Sequence, residues 1–131
     1  MTNWPSPSSY MVRAESTLSE ARILIQAAAV RGACNRAYYA MFYAAHAALF
    51  ALGIEGLTKP IKTHNGLVAR FGQEIILPGH LPRDLGHALS RTSEFRLSAD
   101  YSDDAITLAD AASTVERAEA FVAAVKQKFG L

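Results

Sequence analysis

Hydrophobic residues recur along most of this chain at steps of three and four, a pattern that predicts a succession of helices and no strand. In the first helix the apolar stripe consists of Ala14, Leu18, Ala21, Ile25 and Ala28. Residues 1–8 form a loose N-terminal segment, and Ser8 or Ser9 is suited to cap the helix. Arg31–Gly32 is expected to form the tight turn that follows.

The second helix is predicted from Ala33 to Leu52, apolar on nearly all sides and ended by Gly53. Its length raises the question of a membrane span, which needs about 20 predominantly apolar residues. Asn35, Arg36 and His46 interrupt the apolar run, and an ionisable group near the centre of a bilayer is costly. We therefore expect the central helix of a soluble bundle rather than a membrane segment.

The third helix is predicted to begin after Thr63, which is suited to cap it. Its buried side is expected to comprise Leu67, Phe71 and Ile75. Pro78–Gly79 ends this helix. The fourth helix is predicted to start at Pro82, where a missing N–H has no cost, and to reach about Asp100.

The last helix is predicted to begin at Thr107, because Thr107 and Asp110 resemble a capping box after a turn at residues 101–106. Its core face comprises Leu108, Ala111, Val115, Ala118, Val122 and Val125. No repeat or long linker divides the 131 residues, so one domain spanning residues 1–131 is expected. Short connections favour antiparallel neighbours. The predicted fold is all-α: an up-and-down antiparallel bundle of about five helices.

The composition narrows the classes of function. Thirteen Lys and Arg against twelve Asp and Glu give a formal net charge of +1. This balance argues against a surface devoted wholly to nucleic acid, although it allows a local basic patch. Cys34 is the only cysteine, which excludes an internal disulfide and a cysteine metal cluster. The first ten residues do not resemble a secretion signal, so a cytoplasmic location is expected, with no metal and no cofactor.

One stripe of the second helix is half polar. At 100° per residue, Asn35, Tyr39, Phe42 and His46 fall within a band roughly 60° wide. A buried polar group without a partner costs about 1 to 3 kcal/mol. Either Asn35 and His46 are hydrogen-bonded inside the bundle, or they line a groove or subunit interface where they meet a ligand. The residues alone leave both alternatives open.

The end of the fourth helix carries a second candidate. Arg96 continues an apolar stripe that consists of Leu85, Leu89 and Thr92, and Asp100 lies one turn further on. The pair either closes the helix end structurally or belongs to a phosphate site, for which a planar guanidinium is well suited. Arg91 lies off this face and is expected to point toward solvent. Other polar residues are expected to be solvated: His64, His80, Arg83, His87, Ser90 and Glu94.

Three stretches together resemble small prokaryotic members of the HEPN superfamily. They are NRAYYAMFYAAHAAL from Asn35, KTHNGL from Lys62 and RLSADY from Arg96, and they agree in order and spacing between about Ala33 and Tyr101. The resemblance implies a helical bundle that commonly dimerises and is often encoded beside a minimal nucleotidyltransferase, forming toxin–antitoxin pairs. Active members are metal-independent ribonucleases that use an Arg-x4–6-His motif from two subunits. Some are silenced when AMP units are added to a nearby tyrosine.

The chain departs from the family at that motif. No Arg is followed by His after four to six residues, and Arg83 and His87 have only three between them. At the expected place Arg96 is followed by Asp100 and Tyr101. An Asp beside an Arg stays ionised and does not replace an imidazole in proton transfer near neutral pH. Binding is therefore a safer inference than RNA cleavage.

The sequence thus predicts a HEPN-type nucleotide- or RNA-binding module, homodimeric, that acts with a nucleotidyltransferase-like partner in a toxin–antitoxin or defence setting. The predicted nucleotide- or RNA-binding residues are Asn35, Tyr39, His46, Arg91, Arg96, Asp100 and Tyr101. One alternative is a ribonuclease with a non-standard site, for which His46 and Arg96 are the catalytic candidates. The other is a purely structural dimerisation module.

Overall fold

A computed structural model describes the backbone of residues 6–101 and 106–131, and the side chains of residues 6–95 and 106–131. Within these ranges the chain forms α-helices joined by short connections, with no strand. The helices are α1 (Pro7–Gln26), α2 (Val30–Ala51), α3 (His64–Phe71), α4 (Arg83–Tyr101) and α5 (Leu108–Phe129), and a π-helical turn (Gly72–Ile76) continues α3. The all-α bundle predicted from the sequence is confirmed.

Helix α2 lies at the centre of the bundle, because it packs against α1, α3, α4 and α5. Its contact surface is built mainly of small side chains, and the fully buried ones are Ala33, Ala37, Ala40, Ala44, Ala45, Ala47 and Ala48. Helix–helix distances depend on the size of the side chains at the contact, so alanines allow close approach. Larger residues from α1, α3 and α5, such as Leu18, Phe71 and Phe121, fill the remaining core.

The beginning of α1 differs from the prediction. The side chain of Ser6 caps the helix and accepts a hydrogen bond from the backbone N–H of Ser9 at 3.3 Å. Pro7 occupies the first helical position, where its missing N–H has no cost. The prediction of Ser8 or Ser9 as the cap is therefore wrong by two or three residues.

The turn between α1 and α2 also lies earlier than predicted. Arg31 and Gly32 belong to α2, and the chain reverses at residues 27–29 instead. Ala28 makes this reversal in the left-handed region, with φ of 56°. A non-glycine residue rarely adopts this conformation, so the alanine run gave no sign of a turn. Ala28 is exposed and does not extend the buried stripe.

The later caps agree with the sequence. The Oγ1 atom of Thr63 accepts from the N–H of Gly66 at 3.1 Å. The Oγ1 atom of Thr107 accepts from the N–H of Asp110 at 3.0 Å. Leu108 was expected in the core, but it is 49% exposed. It is the first residue of α5. Within the described residues, no helix is long and apolar enough to cross a membrane.

Candidate functional site

His46 lies inside the bundle, 1% exposed, and both of its ring nitrogens are hydrogen-bonded. Nδ1–H donates to the carbonyl oxygen of Phe42 at 2.9 Å, and Nε2 accepts from the N–H of Ile61 at 2.9 Å. This pairing requires the neutral tautomer with its proton on Nδ1. Burial lowers the pKa of His46, and the bond to Phe42 opposes that shift in part. His46 therefore links α2 to the connector before α3.

A cleft of about 440 Å³ lies directly beside this link, between α2 and the beginning of α3. We call it the aromatic cleft, and its lining residues are Tyr38, Tyr39, Phe42, Lys62, Thr63, His64 and Asn65. The rings of Tyr39 and Phe42 meet edge to face, with centroids 5.8 Å apart. Lys62, on the opposite wall, directly follows Ile61, whose N–H is held by His46. One wall is therefore aromatic and the other cationic and polar.

Asn35 and Arg36 lie next to this cleft. The Oδ1 atom of Asn35 accepts from Nη2 of Arg36 at 2.8 Å and from Nε at 3.2 Å. The guanidinium lies 5.3 Å from the centroid of the Tyr39 ring and 3.9 Å from the carboxylate of Glu20. Asn35 thus orients Arg36 over Tyr39. A cation at the face of an aromatic ring is attracted by its quadrupole, so Arg36 helps to fix the wall of the cleft.

Helix α1 closes the other side of His46. The ring of Tyr10 stacks on the imidazole with centroids 5.5 Å apart, and Phe50 packs against Tyr10 at 5.2 Å. Arg13 lies 4.3 Å from the centroid of the Tyr43 ring. Aromatic and cationic side chains therefore continue from the aromatic cleft across the α1–α2 surface.

Arg91 is exposed and faces a different region, a groove of about 360 Å³ between α4 and α5. We call it the arginine groove, and its lining residues are Asp84, Leu85, His87, Ala88, Arg91, Arg117 and Ala120. Two guanidinium groups from different helices thus face the same concave surface. The structure does not bring Arg91 together with Asn35, Tyr39 and His46 in one cleft.

Arg96, Asp100 and Tyr101 belong to the last part of α4, but their side chains lie outside the described residues. Their predicted ion pair and phosphate site remain predictions. Among the side chains that are described, no group of three or more His, Cys, Asp or Glu could hold a metal ion.

Reasoning from single residues missed the polar wall of the aromatic cleft. His64 was expected to be a solvated loop residue, but it is half-buried and lines the cleft with Lys62 and Asn65. The signal was present in the stretch KTHNGL, which carried the family resemblance. Periodicity does not reveal that the connector folds back along α2, since that depends on the hydrogen bond between His46 and Ile61.

Comparisons with known proteins identify relatives of this chain. The sequence profile of the HEPN domain matches residues 8–128. A protein of Gloeobacter violaceus named "UPF0332 protein glr0978" is 37% identical over 97 residues, covering 74% of this chain and 73% of the relative. A protein of Methanocaldococcus jannaschii named "Putative toxin MJ0605" is 35% identical over 116 residues, covering 87% of this chain and 81% of the relative.

Proposed function

We propose a function on the basis that this chain belongs to the HEPN domain family. The chain is, in this proposal, a toxin-type nucleotide- or RNA-binding module. In this proposal it works in the cytoplasm as a homodimer with a nucleotidyltransferase-like partner, in a toxin–antitoxin or defence setting. The toxin-type name of the Methanocaldococcus relative supports the setting. The observation that carries the binding function is the aromatic cleft, with rings on one wall and Lys62 on the other.

The two walls suit the two parts of a nucleotide. A base stacks on Tyr39 or Phe42, and such stacking contributes about 1 to 3 kcal/mol per base in single-stranded complexes. The ammonium group of Lys62 pairs with a phosphate. His64 and Asn65 bring hydrogen-bonding groups to the same wall. The ring wall and the charged wall together favour one nucleotide unit of a single strand over a duplex, whose bases are already stacked.

A longer RNA gains further phosphate contacts at the arginine groove, where Arg91 and Arg117 face the same surface. Phosphate contacts of this kind do not depend on sequence, and salt weakens them. In our proposal Arg96, Asp100 and Tyr101 extend this binding region at the end of α4. The aromatic cleft holds the base, and the arginines hold the backbone.

The geometry of His46 favours binding over cleavage at this site. A general acid or base needs a ring nitrogen that can exchange a proton with the substrate. Both nitrogens of His46 already contact backbone groups, and the ring is 1% exposed. His46 therefore acts as a positioning residue in our proposal, and the proposal contains no chemical step.

The test is a binding titration with two probes: free AMP by calorimetry and a fluorescein-labelled single-stranded oligoribonucleotide by anisotropy. We expect Lys62→Ala and Phe42→Leu each to weaken oligoribonucleotide binding about tenfold, as expected for losing one charged contact or one stacked base. Lys59→Ala is the matched control, because Lys59 is exposed on the same connector and does not line the cleft. Its affinity should equal that of the wild type.

The proposal is wrong if neither probe binds, or if Lys62→Ala and Phe42→Leu bind as tightly as Lys59→Ala. Arg91→Ala distinguishes binding at the arginine groove from binding at the aromatic cleft. It should reduce affinity for the oligoribonucleotide and the salt dependence of that affinity, with little effect on AMP. Light scattering after gel filtration tests the dimer, which should have twice the 14.2 kDa mass of the chain.

A further inference from the structure

The π-helical turn gives the second half of the α3 segment an unusual shape. Two backbone hydrogen bonds span five residues: the N–H of Leu77 donates to the oxygen of Gly72, and the N–H of His80 donates to that of Ile75, both at 2.9 Å. A π-turn contains one residue more than an α-turn, and such turns occur frequently at functional sites. This turn packs beside α4.

A groove of about 480 Å³ lies between the π-helical turn and α4. We call it the π groove. Its floor is aliphatic and consists of Val68, Gly72, Ile76 and Leu77. On the α4 side Arg83 and His87 form a cationic and polar rim. Leu77 is 82% exposed, so a large apolar side chain at the edge of the apolar floor is in contact with solvent. The groove thus combines an unpartnered apolar surface with positive charge.

Two glycines shape the π groove in different ways. A Cβ added at Gly86 would lie 3.1 Å from Cγ1 of Ile76, so this glycine allows α4 and the turn to approach closely. A Cβ added at Gly72 would have no atom within 4 Å. Gly72 has an ordinary helical φ of −59°, so a larger residue there causes no backbone strain. Gly72 therefore leaves an open part of the floor that a side chain can fill.

The lining identifies the class of occupant. Apart from the imidazole of His87 it contains no aromatic ring, so it offers a nucleic acid base no stacking wall like that of the aromatic cleft. An aliphatic floor instead fits the side chains of Leu, Ile or Met. Among the described residues Arg83 takes part in no ion pair, which leaves its guanidinium available to a carboxylate. The charge and the apolar floor together suit an acidic, apolar segment of a protein.

The length of the groove indicates the conformation of that segment. The α4 wall runs from Arg83 to Ser90, about 10 Å at 1.5 Å per residue, or two helical turns. An amphipathic helix bound in such a groove is anchored by apolar residues at positions i, i+3 or i+4, and i+7, which span the same two turns. We propose that the π groove binds an acidic amphipathic helix of a partner protein. This deepens the partner half of the proposed function and does not depend on nucleotide binding.

The test uses two synthetic helical peptides labelled with fluorescein. Both carry leucines at i, i+4 and i+7, and the flanking positions are all Glu in one peptide and all Lys in the other. We expect the acidic peptide to bind at least about tenfold more tightly, corresponding to one or more charged contacts. Arg83→Glu should reverse this preference. Amide NMR shifts should change mainly within residues 68–90.

Gly72→Leu is the decisive variant, because the added side chain fills the open floor without straining the helix. We expect it to reduce binding of the acidic peptide at least about tenfold, the effect of losing one buried apolar anchor. Ala69→Leu is the matched control: Ala69 is exposed on the same helix and does not line the groove. It should bind the peptide like the wild type.

The proposal is overturned if the acidic peptide does not bind, binds no better than the basic one, or binds Gly72→Leu like the wild type. It is also overturned if Gly72→Leu abolishes a concentration-dependent dimer, since a second copy would then be the occupant. Loss of RNA binding in Gly72→Leu would instead assign the groove to nucleic acid. Lys62→Ala should not change peptide binding, so the failure of the nucleotide site and that of the π groove are distinguishable.

Discussion

The Nε2 atom of His46 accepts a hydrogen bond from the backbone N–H of Ile61 at 2.9 Å, which joins the centre of α2 to the connector before α3. The other ring nitrogen donates to the carbonyl of Phe42, whose side chain lines the aromatic cleft. Lys62, on the opposite wall of the cleft, follows Ile61 directly. The imidazole therefore fixes the connector that carries Lys62 against α2, which carries the aromatic wall of the cleft.

Replacing this imidazole by a phenyl ring tests its structural role. We expect His46→Phe to lower the free energy of unfolding by about 1 to 3 kcal/mol, because the N–H of Ile61 loses its partner while the ring packing is kept. Urea denaturation measures the change. His87→Phe is the control on an exposed helix position and should stay within about 0.5 kcal/mol of the wild type. Equal losses of unfolding free energy in His46→Phe and His87→Phe would contradict a structural role for His46.

The same histidine predicts a pH dependence of stability. Burial lowers the pKa of His46 in the folded state below its ordinary value, so protonation favours the unfolded chain. The contribution of His46 is complete above the unfolded pKa of about 6.5 and is lost as pH falls through the folded pKa. Tyr10, which stacks on the ring, has a raised pKa and stays neutral throughout.

Unfolding titrations between pH 7.5 and pH 5 should therefore show a loss of stability on acidification that is smaller in His46→Phe. His64→Phe serves as the control for a histidine at the cleft that is not bonded to the core. If His46→Phe loses as much stability on acidification as the wild type does, groups other than His46 cause the pH dependence.

The alanine surface of α2 predicts a strong response to larger side chains. Ala44 is fully buried where α2 meets its neighbours, and we expect Ala44→Leu to destabilise the protein by about 1 to 3 kcal/mol through overpacking. Ala123→Leu on α5 is the control, since Ala123 is exposed. Thermal unfolding, monitored by circular dichroism, compares the stability of the two variants. A stable Ala44→Leu would mean that the helices separate more readily than their close packing indicates.

The turn between α1 and α2 offers a stabilising change. Ala28 has φ of 56°, a conformation that costs an L-residue about 1 to 2 kcal/mol. Glycine avoids this cost but loses more entropy on folding, so Ala28→Gly should raise stability by up to about 1 kcal/mol. Ala27 has φ of −83°, so a glycine there relieves no strain. Ala27→Gly should therefore lower stability, because glycine loses more entropy on folding. Chemical denaturation of both variants measures the difference.

The fold was predictable because its signals are local. The helical periodicity, the Thr63 and Thr107 caps and the break at Pro78–Gly79 all lie in short stretches of sequence. The turn at Ala28 was missed because an alanine in the left-handed region has no compositional mark. Leu108 was assigned to the core because periodicity gives the face of a helix but not how far the neighbouring helix extends.

The candidate site was predictable only in part. The stripe that contains Tyr39 and His46 was recognised, but its partners are separated from it by at least fifteen residues in sequence. The choice between an internal and a ligand-facing role turns on where the connector runs, which is a tertiary property. His46 proved to be bonded internally, and Tyr39 faces the cleft. Arg91 was expected to be exposed, which is correct, but its proximity to Arg117 on α5 had no sequence signal.

The π-helical turn has a consequence for how the π groove can change between relatives. A turn of five residues exceeds an α-turn by about one residue, and removing one residue between 72 and 76 would restore continuous α-helix. Leu77 now donates to the oxygen of Gly72 from five residues away. After the deletion it would donate to the same oxygen from four residues away, so the side chains from Leu77 onward would keep their directions. The gain or loss of one codon would thus change the floor of the π groove only within the turn, while Leu77, α4 and the alanine packing around α2 would stay in place.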